Sequence, residues 1–337
     1  MNRPVFTFFN NKGGVGKTTL VYHVAHMFAE LGVSTLAVDC DPQANLTAAF
    51  MDDKELESLW DGAGSARTIF RAVQPMIRKG AFQPIEVQAI SPNLHLIAGD
   101  LGLSSFEDHL SEQWSKANDE KSDTYSKAFD ILTAFWRCAQ QAAHTCQARI
   151  IIFDIGPNLG AINRSVLLGT DHVIVPLAAD LFSLKGLQNL GPALRDWHQS
   201  WKGKRSKPFV DYELPQGEMH VLGYVAMQHQ ERLYRPVQAY KKWVDRIPAD
   251  YRQYILELPG ASVPTIEQDP YALALLRHYK SIVPIGQEAR KPIFALRTAD
   301  GVSGSQLTTV GTAYKDFKAL ALNILEKSNL STLVTRP

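Results

Sequence analysis

The chain has 337 residues, with 35 Lys and Arg against 34 Asp and Glu and an apolar content of 45%; so much apolar side chain at so low a charge excludes a wholly disordered polypeptide. Three cysteines exclude a disulfide scaffold and fit a reducing compartment. No apolar run reaches the ~18 residues of a transmembrane helix, and Met1-Asn2-Arg3-Pro4 does not open a secretory signal.

Val5-Phe6-Thr7-Phe8-Phe9 is apolar and β-rich and predicts a strand. A Gly-rich turn follows. From Lys17 the pattern turns helical, with Leu20, Val24, Phe28 and Leu31 at spacings of three and four, and Gly32 ends it. Ser34–Asp39 predicts a second strand, so the first 40 residues form a βαβ unit and the sheet is expected to be parallel. Residues 52–148 read as mainly helical decoration around one strand, Asn93–Ile97. Helices are predicted at Arg67–Ile77, Leu101–Trp114 and Tyr125–Ala143.

Ile150-Ile151-Ile152-Phe153-Asp154 is a continuous apolar run ending in a carboxylate, the form of a strand buried on both faces. His172–Leu177 and His220–Met227 predict further strands. Helices are predicted at Leu184–Trp197, Val237–Val244, Pro270–Tyr279 and Thr312–Leu325. Trp201–Lys207 reads as a basic surface loop, and the end from Glu326 as frayed.

The even charge balance divides unevenly along the chain. Residues 1–170 carry 14 Lys and Arg against 18 Asp and Glu, and the remainder carries 21 against 16. A polyanion surface is therefore to be sought in the second half.

Asn10-Asn11-Lys12-Gly13-Gly14-Val15-Gly16-Lys17-Thr18-Thr19 joins the first strand to the first helix, where a phosphate loop must lie. Glycines let the backbone turn so that successive N–H groups face phosphate oxygens, and the helix N-terminus adds partial positive charge. Lys17 is placed to reach the β- and γ-phosphates, Thr18 to bind Mg²⁺ and Thr19 to contact the α-phosphate. Asp39-Cys40-Asp41-Pro42-Gln43-Ala44-Asn45 ends the second strand. Alternation puts Asp39 and Asp41 on one face beside the loop, with Cys40 on the other as a small core residue. Two carboxylates there suit metal-water ligation and positioning of an attacking water; helix capping and strand termination are the other reading. The third motif is Asp154 followed by Ile155-Gly156-Pro157-Asn158-Leu159-Gly160.

Lys12, together with Asn11 where the common P-loop has glycine, resembles the deviant Walker A signature KGGxxK[ST] of the ParA/MinD superfamily. The asparagine-rich lead-in is most similar to its ParA branch. Asp39–Asn45 resembles that family's DxDPQxN segment, and Asp154–Gly160 its DxPPxLG switch, with Gly156 in place of the first proline. Val175, Pro176, Ser183, Leu184 and Gly186 match its VIVPxxxxxxSLxGL stretch. The resemblance implies an α/β fold: a single doubly wound, mostly parallel sheet flanked by helices, of the P-loop NTPase type with a helical insertion. Residues 1–327 are expected to form one ATPase domain, with 52–148 decorating it and 328–337 a C-terminal tail.

The resemblance further implies ATP and Mg²⁺ as cofactors and hydrolysis of ATP to ADP and phosphate. The nucleotide-binding residues would be Gly13, Gly14, Val15, Gly16, Lys17, Thr18 and Thr19, the catalytic ones Lys12, Lys17 and Asp41, and the metal ones Thr18, Asp39 and Asp154. Lys12 would reach across a two-fold interface to the partner's ATP, a cis phosphate contact being the alternative. A homodimer formed on ATP binding, nonspecific DNA binding and a ParB-like stimulatory partner are implied, in the cytoplasm and on the nucleoid when ATP is bound. Candidate DNA contacts are two basic clusters, Arg235, Lys241, Lys242 and Arg246, and Arg277, Lys280, Arg290 and Lys291; solvated helix faces would look the same. Positioning of protein cargo, or an accessory task on a mobile element, would use the same engine. A MinD-like membrane ATPase would need a basic amphipathic C-terminal helix, which 325–337 does not spell, and an iron–sulfur relative would need cysteines in the 154–160 switch. By analogy with open α/β folds, adenine would sit by Met227-Gln228 and Val283-Pro284-Ile285.

Overall fold

The computed structural model describes residues 2–61, 66–79, 81–118, 122–206, 210–228, 237–260, 262–279 and 281–335. In chain order the strands are β1 (Val5–Phe8), β2 (Thr35–Asp39), β3 (Gln88–Ser91), β4 (Leu94–Ile97), β5 (Ile150–Asp154), β6 (His172–Ala178), β7 (His220–Gln228) and β8 (Ala272–Arg277). The helices up to β5 are α1 (Lys17–Glu30), α2 (Asn45–Phe50), α3 (Asp53–Asp61), α4 (Ile69–Val73), α5 (Met76–Lys79), α6 (Glu107–Lys116), α7 (Ser122–Leu132) and α8 (Ala134–Thr145). After it come α9 (Ala161–Leu168), α10 (Leu181–Arg205), α11 (Val237–Val244), α12 (Ile247–Tyr254), α13 (Ile282–Glu288) and α14 (Ser305–Lys327).

Among the described residues the strands form one sheet in the order β3-β4-β2-β5-β1-β6-β7-β8. Every pairing is parallel except β3 with β4 at the edge. The mostly parallel α/β expectation is borne out, and the strand alternation shows why it forms. Leu36, Val38, Ile151, Phe153, Val173 and Val175 enter the apolar layer shared with α8, α9 and α10. Phe6, Phe8, Ala37, Ile150, Ile152 and Ile174 enter the opposite layer, under α1 and α14. Side chains of successive strand residues point to opposite faces, so continuous apolar runs fill both layers at once. β1 lies between β5 and β6, and its C-terminal end opens into the loop before α1.

Several segments differ from the sequence expectation. Pro270–Tyr279 is not a helix: Ala272–Arg277 is strand β8, paired in parallel with β7 from Tyr224↔Ala272 to Gln228↔Arg277. Its Ala-Leu composition favours helix locally, but an open sheet edge and burial of Leu273 and Leu276 override that preference. Trp201–Lys207 is not a loop as far as Arg205, which ends α10. Trp201 is fully buried and donates Nε1–H to the Pro215 carbonyl at 2.9 Å, while Lys202, Lys204 and Arg205 sit in the last turn, where cations favour the helix C-terminus. Residues 52–148 supply two strands rather than one.

Leu101–Phe106 is a 3₁₀ turn before α6, and the helix expected at Tyr125–Ala143 breaks at Thr133, whose hydroxyl donates to the Phe129 carbonyl at 2.7 Å. The end is not frayed through Thr335. Leu330, Leu333 and Val334 pack against the core, and Thr335 crowds Gly32, where a Cβ would fall 1.7 Å from its hydroxyl. No helix among the described residues is long and apolar enough to cross a membrane.

Candidate functional site

The loop from Phe9 to Gly16 is shaped by backbone conformation and by one asparagine. Gly14 and Gly16 have φ of 73° and 82°, a region in which a side chain costs free energy and glycine does not. Asn10 is fully buried: its Nδ2 donates to the Pro176 carbonyl at 2.7 Å, and its Oδ1 accepts the Lys12 N–H at 3.0 Å. Gly186 lets α10 close on this loop, since a Cβ there would lie 2.8 Å from Asn11 Oδ1 and 3.0 Å from Asn10 Oδ1. No side chain caps the N-terminus of α1, so its first-turn N–H groups are left to an anionic ligand.

Around that N-terminus lies a cleft of about 640 Å³ lined by Gly13, Gly14, Gly16, Lys17, Thr18 and Thr19, with Asp41 and Pro157 opposite. Lys17 is buried and donates to the Lys12 carbonyl at 3.3 Å. Burial lowers its pKa, and the nearby Asp154 and Asp41 carboxylates oppose that shift. Val15 is buried beneath the loop. The cleft continues between Tyr22, Ala48 and Ala49 on one side and Val283, Gly286, Gln287 and Ile293 on the other. Of the residues offered as neighbours of adenine, Val283 lines this cleft. Met227 is also close, its Cε 3.1 Å from where a Gly16 Cβ would be.

The three acidic residues come together, with unequal surroundings. Asp39 pairs in register with Asp154 across β2 and β5, and both are fully buried. Asp39 Oδ2 accepts the Thr47 N–H at 2.8 Å and its hydroxyl at 2.7 Å, while Oδ1 accepts the Asp41 N–H at 3.2 Å. Its carboxylate therefore ties α2 to the end of β2, which is the capping reading of this residue. Burial raises its pKa to about 6, against the pull of the Thr47 hydrogen bonds. Neither oxygen of Asp154 has a hydrogen bond of ordinary geometry. Burial and then the Asp39 charge push its pKa well up, with the Thr18 hydroxyl opposing. Asp41 accepts the Gln43 N–H on Oδ1 at 3.0 Å and faces Gly156, where a Cβ would sit 3.4 Å from the same oxygen. That is ordinary contact distance, so this space does not demand a glycine at 156.

Lys12 points away from the cleft. Its Nζ donates to Asp180 Oδ2 and lies 3.5 Å from the Ser183 hydroxyl. Ser183 belongs to the matched SLxGL stretch, but the contact itself has no signal in the sequence. The basic candidates are dispersed. Lys241, Lys242 and Arg246 are exposed around Trp243, with Lys242 Nζ at 5.4 Å and Arg246 Cζ at 5.3 Å from its ring. Arg277 extends from the end of β8 with its side chain 65% exposed, 3.6 Å from Asp316. Arg290 Nε donates to the Met51 carbonyl at 2.9 Å, and Lys291 lines the cleft and donates to Asp300 at 2.5 Å. Arg235 and Lys280 lie outside the described residues.

His23 is another site residue that spacing could not find. Its Nδ1 meets the Thr19 carbonyl at 2.7 Å and its Nε2 accepts the Ile293 N–H at 3.2 Å. Accepting on Nε2 requires the neutral ring, consistent with burial lowering its pKa to about 4. The ring joins the phosphate-loop helix to the opposite wall of the cleft.

The AAA domain model AAA_31 matches residues 4–204. A chromosome partitioning protein ParA from Caulobacter vibrioides is 26% identical over 188 residues, which cover 55% of this chain and 60% of that protein. The chain spans about half the length of the curated relatives it matches. Protein DIP2308 from Corynebacterium diphtheriae shares the fold, with a TM-score of 0.68 at 24% identity, covering 96% of this chain and 98% of that one. The ATP complex of a point variant of Cyanothece McdA shares it with a TM-score of 0.59 at 14% identity, covering 98% and 97%. The phosphate loop, its two lysines and the matched sequence models agree: the chain belongs to the AAA_31 domain family, within the ParA/MinD superfamily of P-loop ATPases.

Proposed function

We propose that this member of the ParA-like partitioning and positioning family hydrolyses ATP to ADP and phosphate and uses an ATP-gated homodimer to hold or move cargo on DNA. One observation carries the reading. The uncapped N-terminus of α1 lies in a cleft that also collects Lys17, Thr18 and Asp41, with Asp154 near enough to oppose the lowering of the Lys17 pKa by burial. Phosphoryl transfer depends on positioning and charge neutralisation more than on covalent chemistry, and these groups suit that task.

Lys17 and the loop N–H groups bind and orient the β- and γ-phosphates. Asp41 orients the attacking water. The residues present fit Mg²⁺: Asp154 carries two buried oxygens without a partner of ordinary geometry, near enough to the Thr18 hydroxyl to feel it. Thr18 would ligate the ion and Asp154 would hold one of its waters. Asp39, occupied by Thr47 and Asp41, acts from further out. When bound, magnesium neutralises charge on the β- and γ-phosphate oxygens. Lys12 of each protomer serves the partner's nucleotide once it leaves Asp180.

In this reading residues 1–327 work as one ATPase domain in the cytoplasm, with DNA met nonspecifically and a ParB-like or other protein stimulating turnover. The test combines phosphate release, light-scattering mass and DNA retention, each with and without Mg-ATP, on the wild type and Asp41→Ala. The expected outcome is turnover that Asp41→Ala lowers at least ~100-fold while nucleotide binding persists. ATP should double the mass of both proteins, and DNA retention should require ATP and fade with salt. No phosphate release from the wild type overturns the ATPase reading, and a mass or DNA retention indifferent to ATP overturns the gated-dimer reading.

A further inference from the structure

Glu107 begins α6, in the region between β4 and β5, yet its carboxylate serves another helix. One oxygen accepts the N–H of Ala161 and the other that of Ile162 at 2.9 Å. These are the first two residues of α9, which follows the Asp154–Gly160 segment and has glycine rather than a capping side chain before it. The cap that a neighbouring Ser or Asp normally provides is thus delivered from 54 positions away. Gly160 makes room for it, since a Cβ there would fall 2.6 Å from Glu107 Oε1.

The same helix holds α9 a second time. Trp114, two turns along α6, lies under Arg164 of α9, whose Cζ is 4.3 Å from the ring centroid. Burial lowers the Arg164 pKa and the Glu107 charge opposes it.

α9 in turn holds the reactive segment. Asn163 Nδ2 donates to the Gly156 carbonyl at 2.8 Å and to the Asn158 carbonyl at 2.7 Å. A Cβ built on Gly156 would lie 3.4 Å from Asp41 Oδ1, and one built on Gly13 would lie 3.8 Å from Pro157. Hydrogen bonds therefore run from α6 through α9 to the Gly156–Asn158 segment, which lies next to Asp41 and the phosphate loop.

We propose that Glu107 is a positioning residue for phosphoryl transfer: it fixes the first turn of α9, and through Asn163 the Gly156–Asn158 segment, so that α6 controls turnover without touching nucleotide. The proposal rests on the ATPase reading above. A carboxylate at a helix N-terminus is favoured by charge as well as by hydrogen bonding, so Gln keeps part of the cap and Ala none.

The experiment measures phosphate release over a range of Mg-ATP, affinity for a fluorescent ATP analogue, thermal melting and amide exchange over 156–163, for the wild type, Glu107→Ala and Glu107→Gln. For Glu107→Ala the expected result is a kcat lower by roughly tenfold or more, with KM and analogue affinity within about twofold and faster exchange confined to 156–163. Gln should recover a large part of kcat. An unchanged kcat in Glu107→Ala overturns the proposal. So does loss of kcat with KM and global melting together, or an equal loss in a Gln variant that melts like the wild type. A wild type that releases no phosphate overturns the ATPase reading itself, and is told apart because it fails before any variant is compared.

Discussion

Asp180 holds Lys12 with one carboxylate oxygen and the first turn of α10 with the other. Oδ2 accepts from Lys12 Nζ, and Oδ1 accepts the Ser183 N–H at 2.8 Å. The signature lysine is thus occupied within its own chain, and in the proposed dimer it would exchange this partner for a phosphate. Asp180→Ser keeps an N-cap but removes the charge. The expected outcome is a dimer that forms at several-fold lower ATP, read by light scattering over an ATP titration. An unchanged midpoint would show that the pair does not restrain Lys12. Lys12→Ala should still bind nucleotide but lose roughly 10³-fold in turnover if it acts in trans.

Asp39 predicts a pH dependence. Burial raises its carboxyl from the ordinary 3.8 to about 6, so between these values the folded chain holds a proton that the unfolded chain has released. Its contribution to stability is fully present below about pH 4 and is lost as pH rises through about 6. Asp39→Asn removes this titration together with the charge that helps raise the Asp154 pKa, and leaves the buried histidines unchanged. The melting temperature of the variant relative to the wild type should rise across pH 4 to 6.5 and then level off. A pH-independent difference would mean that Asp39 is already ionised in the free fold.

His23 bridges two walls of the cleft and stacks on Phe317 at 4.7 Å. Its truncation leaves the Ile293 N–H unpaired and opens a cavity in a buried layer. His23→Ala should cost about 3 kcal/mol, seen as a melting temperature lower by several degrees. Nucleotide affinity should fall with it, because Ile293 and its neighbours line the same cleft as Thr19. Equal affinity in the variant would separate this bridge from nucleotide binding.

The two basic clusters should behave differently toward DNA. Lys241 and Lys242 are exposed, whereas Arg290 and Lys291 are engaged by the Met51 carbonyl and Asp300. Replacing Lys241 and Lys242 by Ala should reduce the slope of log affinity against log salt by about 2 in the ATP-bound protein. Replacing Arg290 and Lys291 should leave that slope unchanged. The reverse pattern would move the DNA surface to the nucleotide side.

Asn10–Thr19 was legible in the sequence because a phosphate loop is a local object. Glycines at positive φ, a strand before them and a helix after them specify most of its backbone locally. The parallel core strands were legible for a related reason, since continuous apolar runs can fill both layers of a sheet. Strand β8 was not. Ala-Leu-Ala-Leu-Leu favours helix in isolation, and only the open edge of β7 makes it a strand. The tertiary structure alone decided what each polar side chain does. Lys12 meets Asp180 from 168 positions away, His23 meets Ile293 from 270, and Glu107 caps a helix 54 positions on. A residue type and its spacing specify which hydrogen bonds a side chain is able to make, and the packing of distant elements selects the ones it makes.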